Sequence, residues 1–291
     1  MLRKIKNKHI GITLIFTLFS AFCVLPVIYI LAASLSEESA LKRLGYALIP
    51  RGFSASAYEY IFKSPDSILK SYGVTIIVTV AGTAVSLILT TMLAYVIVRK
   101  DFKLGRIFAF LVFFALLFRA GMVPTYITMV RYYGLKNSLF ALIIPYVIFP
   151  WHIFLMKGFL ADVPVSLIEA AKIDGGGEMM IFWRIVIPIS KPALATVGLF
   201  IAFTYWNDWY QSMLYIDRQQ LTNLQYYLYR IMNNIQYLST SMYTGGADMS
   251  KMPSETTRMA LCVLAAGPML VIFPFFQKHF VKGLTVGAVK G

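Results

Sequence analysis

Cysteine, histidine and acidic side chains are scarce in this chain. Its 291 residues include two cysteines, three histidines and thirteen Asp and Glu together. Cys23 and Cys262 each sit inside an apolar run, so neither a disulfide framework nor a cysteine-type zinc site is expected, and both read as packing residues. The histidines show no ligand spacing. No G-x-x-x-x-G-K-[ST] loop is present, so the chain carries no nucleotide site of that kind. Gly175-Gly176-Gly177 is too short for a phosphate loop and follows a helical pattern rather than a strand. No triad of nucleophile, base and orienting acid emerges, and no catalytic residue is nominated. Internal repeats and low-complexity tracts are also missing. The acid deficit leaves a net charge of +14. In a soluble chain that excess would point to nucleic acid. Here the basic residues lie mostly between or beside apolar runs, where they snorkel to the interface and meet anionic headgroups, and no nucleic acid is expected.

What the chain does have is apolar length. Hydrophobic residues make up 58% of it, above the roughly 50% usual for soluble domains. They are gathered into runs of about 20 residues, the length that crosses about 30 Å of hydrocarbon. In lipid every backbone N–H and C=O must be paired internally, and these long, non-alternating runs suit helices rather than a barrel. The expectation is an all-α membrane protein forming a single transmembrane domain over 1–291. Six spans are read, at about 10–35, 72–98, 107–130, 139–160, 192–215 and 259–280. The third contains Arg119, close to Gly121 and Pro124. Pro145 and Pro150 are expected to kink the fourth.

Lys and Arg in the flanks set the orientation. The bias is strongest in the short segment holding Arg99, Lys100, Lys103 and Arg106. It places both termini in the cytoplasm. Arg3, Lys4, Lys6 and Lys8 precede the first run as in a signal peptide, but an apolar stretch from Ile10 to Leu35 is too long for one, so an uncleaved first helix is expected. Two long loops, 36–71 and 216–258, then fall outside. The second is Tyr-rich, with a turn-like Thr244-Gly245-Gly246-Ala247. A third long loop, 161–191, falls inside.

That inner loop has internal organisation. Ser166 followed by Glu169 is a capping-box pattern that marks a helix start. Ala170, Ala171 and Lys172 favour helix, and Gly175, Gly176 and Gly177 stop it. A second short amphipathic helix is read from Glu178 to Val186, with Met179, Phe182 and Trp183 as its apolar face. Pro188 and Pro192 lead into the fifth span. Apolar side chains exposed on such a loop point to a protein partner.

Glu169-Ala170-Ala171, then Gly175 after three residues, then Ile185-x-Ile187-Pro188 after nine more, resembles the EAA motif of ABC importer permeases. Only the motif's leucine is replaced, by Ile187. Asp174 and Pro192 are similar to the sugar-importer version. The stretch Trp206-Asn207-Asp208-Trp209 and the tail from Lys282 to Gly291 resemble the maltose-permease-like branch, and most of all its complex-oligosaccharide subgroup. The resemblance implies the type I ABC importer permease fold, in a bacterial inner membrane, with 161–191 as a coupling loop seated in a cleft of an ATPase subunit. Glu169, Ala170, Ala171, Asp174, Gly175 and Pro188 would form that element, Glu169 pairing with a basic group and Gly175 admitting the corner. It further implies a second homologous permease as heterodimer partner, two cytoplasmic ATPase subunits that hold the ATP and Mg, and an extracellular solute-binding protein. The chain itself would bind no cofactor and catalyse nothing.

Substrate contacts are sought among polar and aromatic groups within spans, where polarity is costly enough to have a use. Trp206, Asn207, Asp208, Trp209 and Gln211 form one such group, and on a helix Asn207 and Gln211 would share a face. Arg119 is the other candidate. The basic excess of the outer segments hints at an acidic oligosaccharide. Two rival readings remain. A membrane-embedded enzyme would need acidic or histidine clusters at a membrane face. A self-sufficient secondary transporter would need a second half with matching broken helices.

Overall fold

The structure, a computed structural model, describes residues 2–63, 65–245 and 254–288, with side chains over 11–63, 65–237 and 254–274. Gly246 and Ala247 of the expected turn, and the end and side chains of the tail, lie outside those residues. Two compact units divide the chain: Met1–Asp66 with Leu228–Pro268, and Ser67–Tyr227 with Met269–Gly291. Among the described residues there is no strand, only one isolated bridge between Ser36 and Phe53.

In the first unit, α1 runs Leu2–Ser34. Its stretch Gly11–Ser34 is long and apolar enough to cross a membrane, and Phe16, Phe19 and Phe22 are exposed along it. Two short helices follow, α2 (Glu38–Leu44) and α3 (Ser56–Ile61), so the 36–71 segment is structured rather than a plain loop. Its centre is Glu38. One carboxylate oxygen accepts the Ser254 hydroxyl and the Glu255 N–H, both at 3.1 Å. The other accepts the Thr256 N–H at 2.9 Å and its hydroxyl at 2.8 Å. Lys42, one turn on, adds an ion pair at 3.0 Å. These N–H groups are the free donors at the start of a long helix, Glu255–Ala288, which any helix N-terminus must satisfy. Burial alone would raise the Glu38 pKa. The N–H groups of Thr256 and Glu255, the Thr256 hydroxyl and Lys42 outweigh it and hold the carboxyl at about 2.

The second unit is built on α4, Pro65–Val98, an unbroken apolar helix. Small side chains recur on its buried face, at Ser71, Thr75, Gly82, Ser86 and Thr90, and such stripes let membrane helices approach closely. Gly82 shows how closely. A Cβ placed there would lie 2.6 Å from the ring of Tyr205. The Tyr205 hydroxyl donates to the Ile143 carbonyl and pairs with Ser86, each at 2.9 Å.

Three expected spans are not continuous helices. α5 (Gly105–Leu117) and α6 (Met122–Ile127, continued by a wide turn Thr128–Tyr132) meet at 113°. The break lies where Phe118 is extended and Gly121 takes φ +86°, a conformation open mainly to glycine. α7 (Phe140–Val147) and α8 (Pro150–Leu160) meet at 50°. Here Pro150 supplies the first residue of α8 and holds Phe149 extended. The fifth breaks after Trp206, where the helix Lys191–Trp206 ends before Tyr210–Tyr215 begins; the helical stretch leading into it, Glu178–Ile189, meets it at 84° at Ser190. The core lies where α8 packs on α5 and where both α7 and α8 pack on the helix Lys191–Trp206. Within the second long loop Leu224–Gly245 is helical, and the helix takes in Thr244 and Gly245 of the turn-like stretch. Cys23 and Cys262, expected to pack, are exposed.

Candidate functional site

The 161–191 segment folds as a helix, a glycine corner and a second helix. α9 spans Val165–Ile173. The anticipated capping box does not form. Pro164 is the N-cap, Ser166 lies within the first turn, and no side chain caps the end. The C-terminal stop does form. The Gly175 N–H bonds the Lys172 carbonyl at 3.0 Å and the Gly176 N–H bonds that of Ala171 at 2.8 Å, the paired closure of a Schellman motif. It requires the left-handed conformation that Gly175 adopts, φ +81°. A Cβ there would meet open space.

The second helix, α10 (Glu178–Ile181), runs on through a wide turn at Phe182–Val186 to α11 (Ile187–Ile189), which contains Pro188. α12 (Lys191–Trp206) follows. The corner presents apolar side chains outward: Ile173 is 86% exposed, Met179 59% and Trp183 45%. Phe182, expected beside them, is instead buried against Tyr95, with ring centroids 5.5 Å apart. Ala171 is buried, while Glu169, Ala170 and Asp174 are exposed. No hydrogen bond or ion pair holds the Glu169 carboxylate among the described residues.

Glu178 is different. Its carboxylate is bound within the chain. Arg99, at the end of α4, grips it with two nitrogens at 2.9 and 3.1 Å and reaches Asp101 with its Nε at 2.7 Å. Lys172 of α9 closes the ring, pairing with Asp101 at 2.7 Å and Glu178 at 2.9 Å. The Tyr95 hydroxyl donates to Glu178 at 3.0 Å. Arg99 also bonds Tyr95 and lies over its ring. Two acids and two bases thus fasten both helices of the corner to the end of α4. The Arg99 side chain is only 10% exposed. Its hydrogen bond, then that of Lys172, holds the Asp101 carboxyl far below the usual range. Burial would raise Glu178, but Lys172, Tyr95 and Arg99 together lower it.

The second candidate group is split by the fold. α12 ends at Trp206, and α13 (Tyr210–Tyr215) begins after a break. Asn207 and Gln211 therefore do not share a helical face. Asn207 turns back to the Phe203 carbonyl at 3.1 Å. Asp208 is buried. Its Oδ1 accepts the Tyr146 hydroxyl at 3.0 Å and the Gln211 N–H at 3.2 Å, while its carbonyl accepts the Asn223 amide. Trp206 is buried and Trp209 is exposed beside Tyr210. Arg119 and Gln211, distant in sequence, come together. Both line a cavity of about 500 Å³, with Tyr146, Phe149, Tyr210 and Tyr215 among its walls. The Arg119 guanidinium stands 5.8 Å over the Phe149 ring.

No protein-family model matches the chain. Individual relatives do. It is 41% identical over 280 residues to the polygalacturonan/rhamnogalacturonan transport system permease protein YtcP of Bacillus subtilis (strain 168), a match covering 94% of this chain and 95% of that protein. Protein LplC of the same organism is 39% identical over 273 residues, covering 93% and 90%. This chain belongs to the sugar ABC transporter permeases. A solved bacterial ABC transporter involved in the import of the acidic polysaccharide alginate matches the permease with a TM-score of 0.78 at 28% identity, covering 94% of this chain and 97% of that one.

The permease is a multi-pass membrane protein and a transport subunit, not an enzyme, and its family works with a binding protein, an ATPase and a second permease. Sequence reading found the Gly175 corner and the oddity of Arg119. It missed Tyr95, Arg99 and Asp101, which are some 70 to 80 positions from their partners. The one signal in the sequence is Arg99 at the boundary of an apolar run, where a basic residue ordinarily marks only orientation.

Proposed function

We propose that this permease forms half of the translocation path for an oligosaccharide, pairing with a second, homologous permease. Six spans cross the membrane, the bent pairs within 105–132 and 140–160 each counting as one and the fifth starting after the 161–191 corner, and both termini face the cytoplasm. Two cytoplasmic ATPase subunits drive the cycle and hold the ATP and Mg; this chain binds neither. An extracellular binding protein delivers the sugar. The carrying observation is the 161–191 corner. Its apolar tip is exposed, its acid Glu169 has no partner among the described residues, and its base is clamped to α4. A corner that is rigid behind and apolar in front suits docking into a cleft.

The test is co-purification of the permease pair with its ATPase, followed by Gly175→Val and Glu169→Lys. Loss of ATPase association or of uptake with an intact permease pair is expected. Survival of both in Gly175→Val would remove the coupling role. Labelling of single cysteines in 161–191 and in 36–71 from each side of the membrane tests the orientation.

A further inference from the structure

We propose that the cavity around Arg119 is a subsite that reads the carboxylate of an acidic sugar, so that the oligosaccharide carried is a uronic one; this rests on the importer reading above. The argument starts from the backbone. Residues 118–121 leave the helix inside an apolar stretch, with Phe118 extended and Gly121 at φ +86°. Non-helical backbone at membrane depth is tolerated where it lines a protein-walled cavity, and this break borders one of about 500 Å³. That volume is in the range of small-molecule sites.

Arg119 is the charge at that break. No carboxylate, carbonyl or hydroxyl engages its guanidinium among the described residues; its one contact is the face of Phe149. Asp208, which stands three residues from Gln211, is turned to Tyr146 and to the Gln211 N–H instead. A cation in an apolar span needs an anionic or dipolar partner, and a planar guanidinium matches a carboxylate through two parallel hydrogen bonds. The surrounding wall suits a sugar. Tyr146, Phe149 and Tyr210 offer aromatic faces, and Gln211 and Thr125 offer hydroxyl-pairing groups. A lipid phosphate would also satisfy the charge, but the aromatic faces with Gln211 and Thr125 among the apolar lining favour a sugar.

The complete importer in proteoliposomes, with its binding protein and ATPase, tests this with two probes of equal length: trigalacturonate and its carboxyl-reduced neutral counterpart. Arg119→Gln is expected to lower trigalacturonate uptake at least tenfold more than it lowers neutral uptake. Arg119→Lys is expected to fall between. Equal loss of both probes would overturn the carboxylate role, as would no loss of either. So would a deficit that follows the anionic lipid content of the vesicles rather than the probe, which would assign Arg119 to a headgroup. Neutral uptake with no wild-type trigalacturonate uptake overturns this inference and leaves the oligosaccharide reading standing. Failure of Gly175→Val to disturb coupling counts against that reading alone.

Discussion

Glu38 is the joint between the 36–71 segment and the start of the helix Glu255–Ala288. Its side chain is 7% exposed, so solvent screens it little. The carboxyl lies at about 2 against an ordinary 4.5. At 1.36 kcal/mol per tenfold, that difference is worth about 3 kcal/mol to the folded form at neutral pH. Because the folded pKa is the lower one, this stability is full above about pH 4.5 and drains as pH falls toward about 2. In Glu38→Ala the two backbone donors lose their partner. Thr256 is fully buried, so water cannot replace it, and each orphaned donor costs about 1–3 kcal/mol. Glu38→Gln keeps the shape but loses the charge shared with Lys42. Hydrogen exchange of the 255–258 amides, corrected for intrinsic rate, reads this locally. Protection in Glu38→Ala should fall on the order of 100-fold, equivalent to about 3 kcal/mol. Wild-type protection should also fall between pH 5 and 3 while that of the variant does not. Exchange unchanged in Glu38→Ala, or the same pH profile in both, would refute the clamp.

Other outcomes follow from the same geometry. Arg99→Gln should lower sugar moved per ATP while the permease still co-purifies with its ATPase, and the charge swap Arg99→Glu with Glu178→Arg should recover part of that loss. Asp101 and Glu178 are both held below the usual carboxylate range, so their pairing persists as pH falls through 5, and coupling measured at pH 5 should match that at pH 7. Gly175→Ala places a side chain at φ +81° and should cost about 1–2 kcal/mol by urea unfolding. Gly177→Ala, at φ −73° in open space, should be neutral. Gly82→Ala drives a methyl into the buried Tyr205 ring and should destabilise by about 1–3 kcal/mol in the same assay.

The parts of this fold that sequence made legible are those with local causes. Gly175 stops α9 because the turn itself needs a positive φ, so its position could be read from three glycines after a helical run. Phe149 and Pro150 interrupt the fourth span for an equally local reason. The break at 118–121 escaped because apolarity averaged along a run does not register four non-helical residues within it. The break after Trp206 escaped because Asp208 leaves the helix for Tyr146, a partner 62 positions away. The Ser166–Glu169 pattern misled because Pro164 had already started the helix. Arg119 was legible as an anomaly, but the cavity beside it depends on α7, α8 and α13 coming together.

After Pro65 at its first position, α4 has no further proline and no break as far as Val98. Near one end it carries Tyr95 and Arg99, which hold the coupling corner. Near the other, the Thr75 hydroxyl accepts the Leu224 N–H at 2.7 Å. At 1.5 Å per residue these fastenings are about 30 Å apart. A rod pinned at both ends transmits thrust. Displacement of the corner would therefore arrive at the Asn223–Leu224 bend with little lost to flexing, which makes α4 a strut between those two points.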